Sequence, residues 1–99
     1  MFVLELHYTA PLERIDALLS DHIDWLTTHY ESGTFIASGR KEPRDGGVIL
    51  AVGADRPDIE QVVANDPLVV AGACEYRITE FLATKTAPAL AAYRQELPS

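Results

Sequence analysis

Between Leu12 and Tyr30, apolar residues fall at Leu12, Ile15, Leu18/Leu19, Ile23, Leu26 and Tyr30. This three-to-four spacing predicts an amphipathic helix of about five turns. Such a helix must bury its stripe against something, and the flanking segments supply the surface. Phe2 to Tyr8 is rich in strand formers and reads as a fairly buried strand. Thr9-Ala10-Pro11 breaks it. Pro11 suits a first helical turn, Glu13 suits the helix's positive end, and Gly33 is a natural stop.

The remainder continues the alternation. Thr34 to Ser38 reads as a second strand and Val48 to Val52 as a third. The polar stretch Gly39 to Asp45 joins them, with Gly46-Gly47 closing the turn of a hairpin. Gly53 to Asp58 leads into a second helix whose buried stripe is Ile59, Val62 and Val63, with Asp55 or Pro57 near its start. Asn65-Asp66-Pro67 interrupts that helix, a short turn covers 67–71, and Gly72 ends it. Glu75 to Phe81 alternates polar and apolar, as a strand with one wet face does. Alanine-rich Thr86 to Leu97 carries leucine and tyrosine at helical spacing and predicts a C-terminal helix.

The order β-α-β-β-α-β is the ferredoxin-like arrangement, an α+β fold with a four-stranded antiparallel sheet and both helices on one face. The chain reads as one domain over residues 1–99, without repeats, linkers or low-complexity segments. The uncovered sheet face would leave an apolar patch, and such patches mark interfaces. A homodimer with stacked sheets is therefore expected.

Charge narrows the functional classes. Fifteen acidic against eight basic residues give a net charge of −7. Binding nucleic acid needs a basic face, and the only basic grouping, Arg40-Lys41 with Arg44, is diluted by Glu42 and Asp45. Neither nucleic acid nor an anionic membrane surface is expected as a partner. No apolar run is long enough for a membrane span, and no charged segment precedes Met1-Phe2-Val3-Leu4 as in a signal peptide. A single cysteine, Cys74, allows no intramolecular disulfide. It is expected to be buried and inert, and a reducing cytoplasm is the simpler location.

Two residues stand out chemically. His22 shares the apolar face of the first helix with Leu18, Leu19, Trp25 and Leu26. A histidine there is either a core residue with one satisfied hydrogen bond or an imidazole able to take and give a proton near neutral pH. Asp66, before Pro67, is either a helix N-cap or the carboxylate that fixes the tautomer of that imidazole. The two roles are compatible, since one oxygen can cap while the other holds the ring. Trp25, Tyr30 and Tyr76 are expected in the core or the pocket wall.

Ser38 lacks a Gly-x-Ser-x-Gly elbow, so a pocket hydrogen bond suits it better than nucleophilic attack. Gly39 suits close backbone approach, since no phosphate-binding loop pattern follows. Arg40 and Arg44 are either solvated or meet a carboxylate or phenolate on a ligand. His22 and His29 are seven residues apart, roughly 10–11 Å along the helix axis, too far to ligate one ion together. His7 has no metal spacing either, so neither a metal nor a cofactor is expected.

The chain resembles the YCII-related family over nearly its whole length. The resemblance rests on Asp21-His22-Ile23-Asp24-Trp25-Leu26, on Phe35-Ile36-Ala37-Ser38-Gly39, on Asn65-Asp66-Pro67-Leu68-Val69-Val70-Ala71-Gly72, and on Glu75-Tyr76. It implies a ferredoxin-like fold that pairs into a dimeric α/β barrel, with a site built on the helix histidine and the aspartate before proline, here His22 and Asp66. Many members carry arginine three residues before the histidine, where this chain has Leu19. Many have proline after the Ser-Gly pair, where this chain has Arg40. A substrate-anchoring charge would then have moved to Arg40 or Arg44, or be missing.

The reading that follows is cofactor-independent acid–base chemistry on a small organic molecule, of isomerase, lyase or dehalogenase type. A non-catalytic metabolite- or partner-binding module and a cofactor-free monooxygenase are the alternatives.

Overall fold

A computed structural model of the chain describes residues 1–98. Its elements run β1 (Phe2–Tyr8), α1 (Leu12–Glu31), β2 (Phe35–Arg40), β3 (Gly46–Ala51), α2 (Arg56–Ala64), α3 (Pro67–Val70) and β4 (Cys74–Glu80). The sheet order is β2-β3-β1-β4, with every neighbouring pair antiparallel. That is the ferredoxin-like topology expected from the sequence.

Alternation along β1 decides which face the helices cover. Phe2, Leu4 and Leu6 are buried while Glu5 and His7 are exposed. One core cluster joins Phe2, Leu4, Ile49 and Ala51 of the sheet to Trp25 of α1 and to Ile59 and Val63 of α2. A second joins Leu6 and Cys74 to Ile15 of α1 and Leu68 of α3. All three helices therefore pack on the same side. On α1 the buried residues are Ile15, His22 and Trp25, spaced to share one face. The helix ends as its stop signal predicts: Gly33 takes φ +80°, and the amide of Thr34 reaches back to the His29 carbonyl.

The opposite face is divided. Its β2–β3 half presents Ala37, Val48 and Leu50, whereas its β1–β4 half pairs Glu5 with Arg77 and His7 with Glu75 across the strands. Lys41 adds contacts to Glu5 at 3.6 Å and Asp45 at 3.7 Å. The apolar patch expected from the sequence covers only half of the sheet.

Three local expectations change. Gly46-Gly47 is not a turn: both residues begin β3, paired with His7 and Leu6. A Cβ on Gly46 would lie 1.7 Å from the Leu6 carbonyl oxygen, so glycine is needed there for strand approach rather than for turning. The second strand runs on through Gly39 to Arg40, two residues past the expected end, with a register shift between Phe35 and Ala37. Finally, the alanine-rich tail is no α-helix. It holds a six-residue 3-10 segment, Pro88–Tyr93, with no buried residue. A short isolated helix is marginal without a face to bury, and Leu90 and Leu97 find none, at 38% and 70% exposed.

Candidate active site

Asp66 sits at the seam between α2 and α3. Asn65 closes α2, and Pro67 starts α3 with φ already set for a helix. The Asp66 side chain is fully buried and caps α3, its Oδ1 accepting from the Leu68 amide at 2.9 Å. A buried carboxylate needs every lone pair it can fill. Two more donors arrive from distant elements. His22 Nδ1 lies 2.8 Å from Oδ1, and the Tyr76 hydroxyl of β4 donates to Oδ2 at 2.6 Å. The N-cap and the imidazole thus share Oδ1. The second oxygen is taken by Tyr76, for which the sequence suggests only a place in the core or pocket wall.

This arrangement sets the histidine's tautomer. An ionised carboxylate only accepts, so the proton between the pair belongs to Nδ1, and in the neutral ring Nε2 is the nitrogen that carries the lone pair. Among the described residues Nε2 has no hydrogen-bond partner, yet no buried side-chain nitrogen or oxygen goes unpaired. Nε2 is therefore reached by solvent. The ring stacks on Trp25, with centroids 5.5 Å apart and planes at 29°, and the Trp25 indole is tied to the Val62 carbonyl of α2.

His22 lines a cavity of about 160 Å³ between α1 and the sheet. From α1 come Leu19, Ile23 and Leu26; from the sheet come Leu6, Tyr8, Ile49 and the nearly bare strip of Gly39, Gly46 and Gly47. Ser38 and Arg40 also line the cavity. The irregularity in β2 puts them there. Before it, Phe35 pairs with Ala51; after it, Ser38 pairs with Ile49 and Arg40 with Gly47. An extra residue in one strand reverses which side chains face the helices.

The predicted site residues therefore separate into three groups. His22, Ser38, Gly39 and Arg40 meet in one cavity, and Asp66 stands behind His22 rather than in the lining. Arg44 is elsewhere, hydrogen-bonded to Asp16 of α1. Ser38 exchanges a hydrogen bond with the Tyr30 hydroxyl. Among the described residues Arg40 has only a 3.9 Å contact with Glu42, and its side chain is largely open to solvent. Among the described residues, no three His, Cys, Asp or Glu side chains gather as a metal site would need.

Burial, followed by the Asp66 charge, pushes the Tyr76 phenol far above its ordinary range. It therefore remains a donor. Burial, with the charges of Asp66 and Glu75, raises the Cys74 thiol to about 12, so the cysteine stays protonated. Alternation in β4 places Tyr76 on the helix side, which the sequence allows; where its hydroxyl points depends on tertiary packing.

Fold and site together define a small ferredoxin-like protein with an imidazole–carboxylate pair behind an apolar cavity. The family model for the YCII-related domain matches residues 1–82, and the chain belongs to that family. Among solved structures it is similar to 5-chloro-2-hydroxyhydroquinone dehydrochlorinase from Burkholderia phenoliruptrix in complex with 2,5-dihydroxybenzoquinone. That match has a TM-score of 0.65 at 17% identity, covering 82% of this chain and 93% of the other. No curated protein sequence matches. No helix among the described residues is long and apolar enough to cross a membrane.

Proposed function

We propose that this protein is a small-molecule enzyme that moves protons with His22 and Asp66, acting as a homodimer. The observation that carries this reading is the imidazole whose Nδ1 is held by a buried carboxylate while Nε2 is left open beside an apolar cavity. Nε2 takes a proton from an acidified C–H or O–H of the bound molecule. The imidazolium that forms is stabilised by Asp66. In an isomerisation the proton returns at a second carbon. In an elimination the freed electron pair forms a new double bond, and the leaving group departs as an anion. Dehydrochlorination by the similar structure favours the second outcome.

The cavity's chemistry suggests the substrate. A space of roughly 150 Å³ holds a benzene-sized ring, and the volume here is about 160 Å³. Leu19, Ile23 and Leu26 suit the ring's apolar body, and Arg40 suits a phenolate or carboxylate on it. The quinone-type molecule in the similar structure is of that kind. The apolar β2–β3 half of the open face supports pairing of two copies, and the single buried thiol fits a reducing cytoplasm.

Thermal-shift screening of hydroxylated, halogenated and carboxylated rings is expected to find binders, because a ligand stabilises the state that binds it. Chloride release or spectral change then reports turnover. His22→Ala and Asp66→Asn, each folded, are expected to lower turnover by about 100-fold or more. Binding without turnover, unchanged in both variants, contradicts the enzyme and leaves a ligand-binding module. Size-exclusion chromatography with light scattering tests the pairing; a monomer at micromolar concentration refutes it.

A further inference from the structure

We infer that Tyr76 is a positioning residue of the site: its hydroxyl fixes the Asp66 carboxylate toward His22 and sets how strongly that carboxylate draws a proton onto the imidazole. The inference rests on the proposed His22–Asp66 chemistry and adds a third member to it.

The donors to Asp66 are shared unevenly between its two oxygens. Asp66 is fully buried and carries two oxygens. Among the described residues, Oδ1 receives both the Leu68 amide and His22, whereas Oδ2 receives only the Tyr76 hydroxyl. Rotating the carboxylate would strip Oδ2 of its partner in a place water does not reach, so the phenol holds the plane that keeps Oδ1 on Nδ1. The same bond draws negative charge toward Oδ2, leaving less on the oxygen that faces the imidazole. The phenol thus tempers the proton affinity of His22.

The surroundings leave Asp66 as the dominant charge. The ionisable groups acting on Tyr76 are Asp66 at the start of α3, Cys74 of its own strand and Tyr8 of β1. From α1 comes His22, and the β3 residues in the shared cavity, Gly46 to Ile49, are non-ionisable. Arg40 of β2 lines the same cavity as His22 and has the same charge in every variant compared. Tyr76 packs between the two core clusters, so its ring is anchored independently of the hydroxyl.

The test is an NMR titration of the His22 ring in four proteins: the natural chain, Tyr76→Phe, Tyr76→3-fluorotyrosine introduced at that site alone, and Asp66→Asn. Removing the hydroxyl is expected to raise the midpoint of the coupled pair by about one unit. The fluorinated phenol is more acidic and a stronger donor, so it is expected to lower the midpoint by a few tenths of a unit. A merely structural tyrosine would not give opposite signs. Midpoints within about 0.2 units of the natural chain in both Tyr76 variants overturn the inference, as do shifts of the same sign. If Tyr76→Phe fails to fold, the fluorinated variant alone decides, by a fall or by none. Asp66→Asn separates the two levels. A His22 midpoint that ignores Asp66→Asn removes the underlying dyad. A midpoint that drops there yet ignores both Tyr76 changes leaves the dyad and removes only Tyr76's part.

Discussion

The seam around Asp66 and the outer end of the β2–β3 hairpin treat charge in opposite ways. At the seam, one carboxylate with no exposure is held by donors from α1, α3 and β4. At the hairpin end, Arg40, Lys41, Glu42, Arg44 and Asp45 make exposed or half-exposed contacts, most of them beyond 3.5 Å. Buried charge is costly unless every hydrogen bond is made, so the seam tolerates no partial version of itself. Exposed pairs contribute little and can be spared for a ligand. Under the proposed chemistry, a change at the seam therefore touches stability as well as turnover, while a change at the hairpin touches binding with little effect on stability.

The sharpest way to break that contrast is to truncate the carboxylate. Asp66→Ala deprives the Leu68 amide, His22 and Tyr76 of one acceptor group together, and is expected to cost about 3 kcal/mol or more of stability. Urea unfolding measures it. A loss within about 0.5 kcal/mol would put Asp66 in the same class as a surface residue.

Next come the two arginines, which the contrast separates from each other as well. Arg40→Gln is expected to weaken binding of an anionic ring by about tenfold, with stability within about 0.5 kcal/mol. Arg44→Gln loses its pairing with Asp16, is expected to cost about 0–1 kcal/mol at low salt, and leaves binding unchanged. Calorimetric titration of both variants with the same ligand distinguishes them. Equal losses of affinity would merge the two sites.

The smallest effect concerns His29, one turn beyond Trp25 on α1 and half-buried against Trp25 and Phe35. Burial lowers its pKa from the ordinary 6.5. Below that value the unfolded chain binds the proton more readily than the folded one. Stability is thus unaffected above about pH 6.5 and declines as pH falls beneath it. His29→Gln is expected to flatten this acid limb, read from urea midpoints between about pH 5 and pH 7.5. An unchanged limb would assign the decline to another group.

Much of the architecture is legible in the amino-acid order itself. The Leu12–Tyr30 stripe and the alternation in β4 each follow from period alone, and they lead to the right topology. The departures share a cause. Gly46-Gly47 looks like a turn because glycine has several uses, and only the approach of Leu6 across the strand pair reveals which one applies. The β2 register shift carries no mark in Phe35-Ile36-Ala37, yet it swings Ser38 and Arg40 to the helix side. The tail has helical spacing without a surface to bury it on. At the site, the pairing of residues 44 apart follows from family resemblance rather than from local pattern, and the direction of the Tyr76 hydroxyl has no local signal at all.

The central claim is that one proton lies on the Asp66 side of the His22 ring and leaves the cavity side basic. Nitrogen NMR of the folded protein, labelled with ¹⁵N in histidine, reads this directly on the alkaline side of the ring's titration, where the imidazole is neutral. The account predicts a His22 ring protonated at Nδ1 with Nε2 bare, and loss of that preference in Asp66→Asn. A proton resident on Nε2, or a tautomer mixture identical in the two proteins, would contradict it.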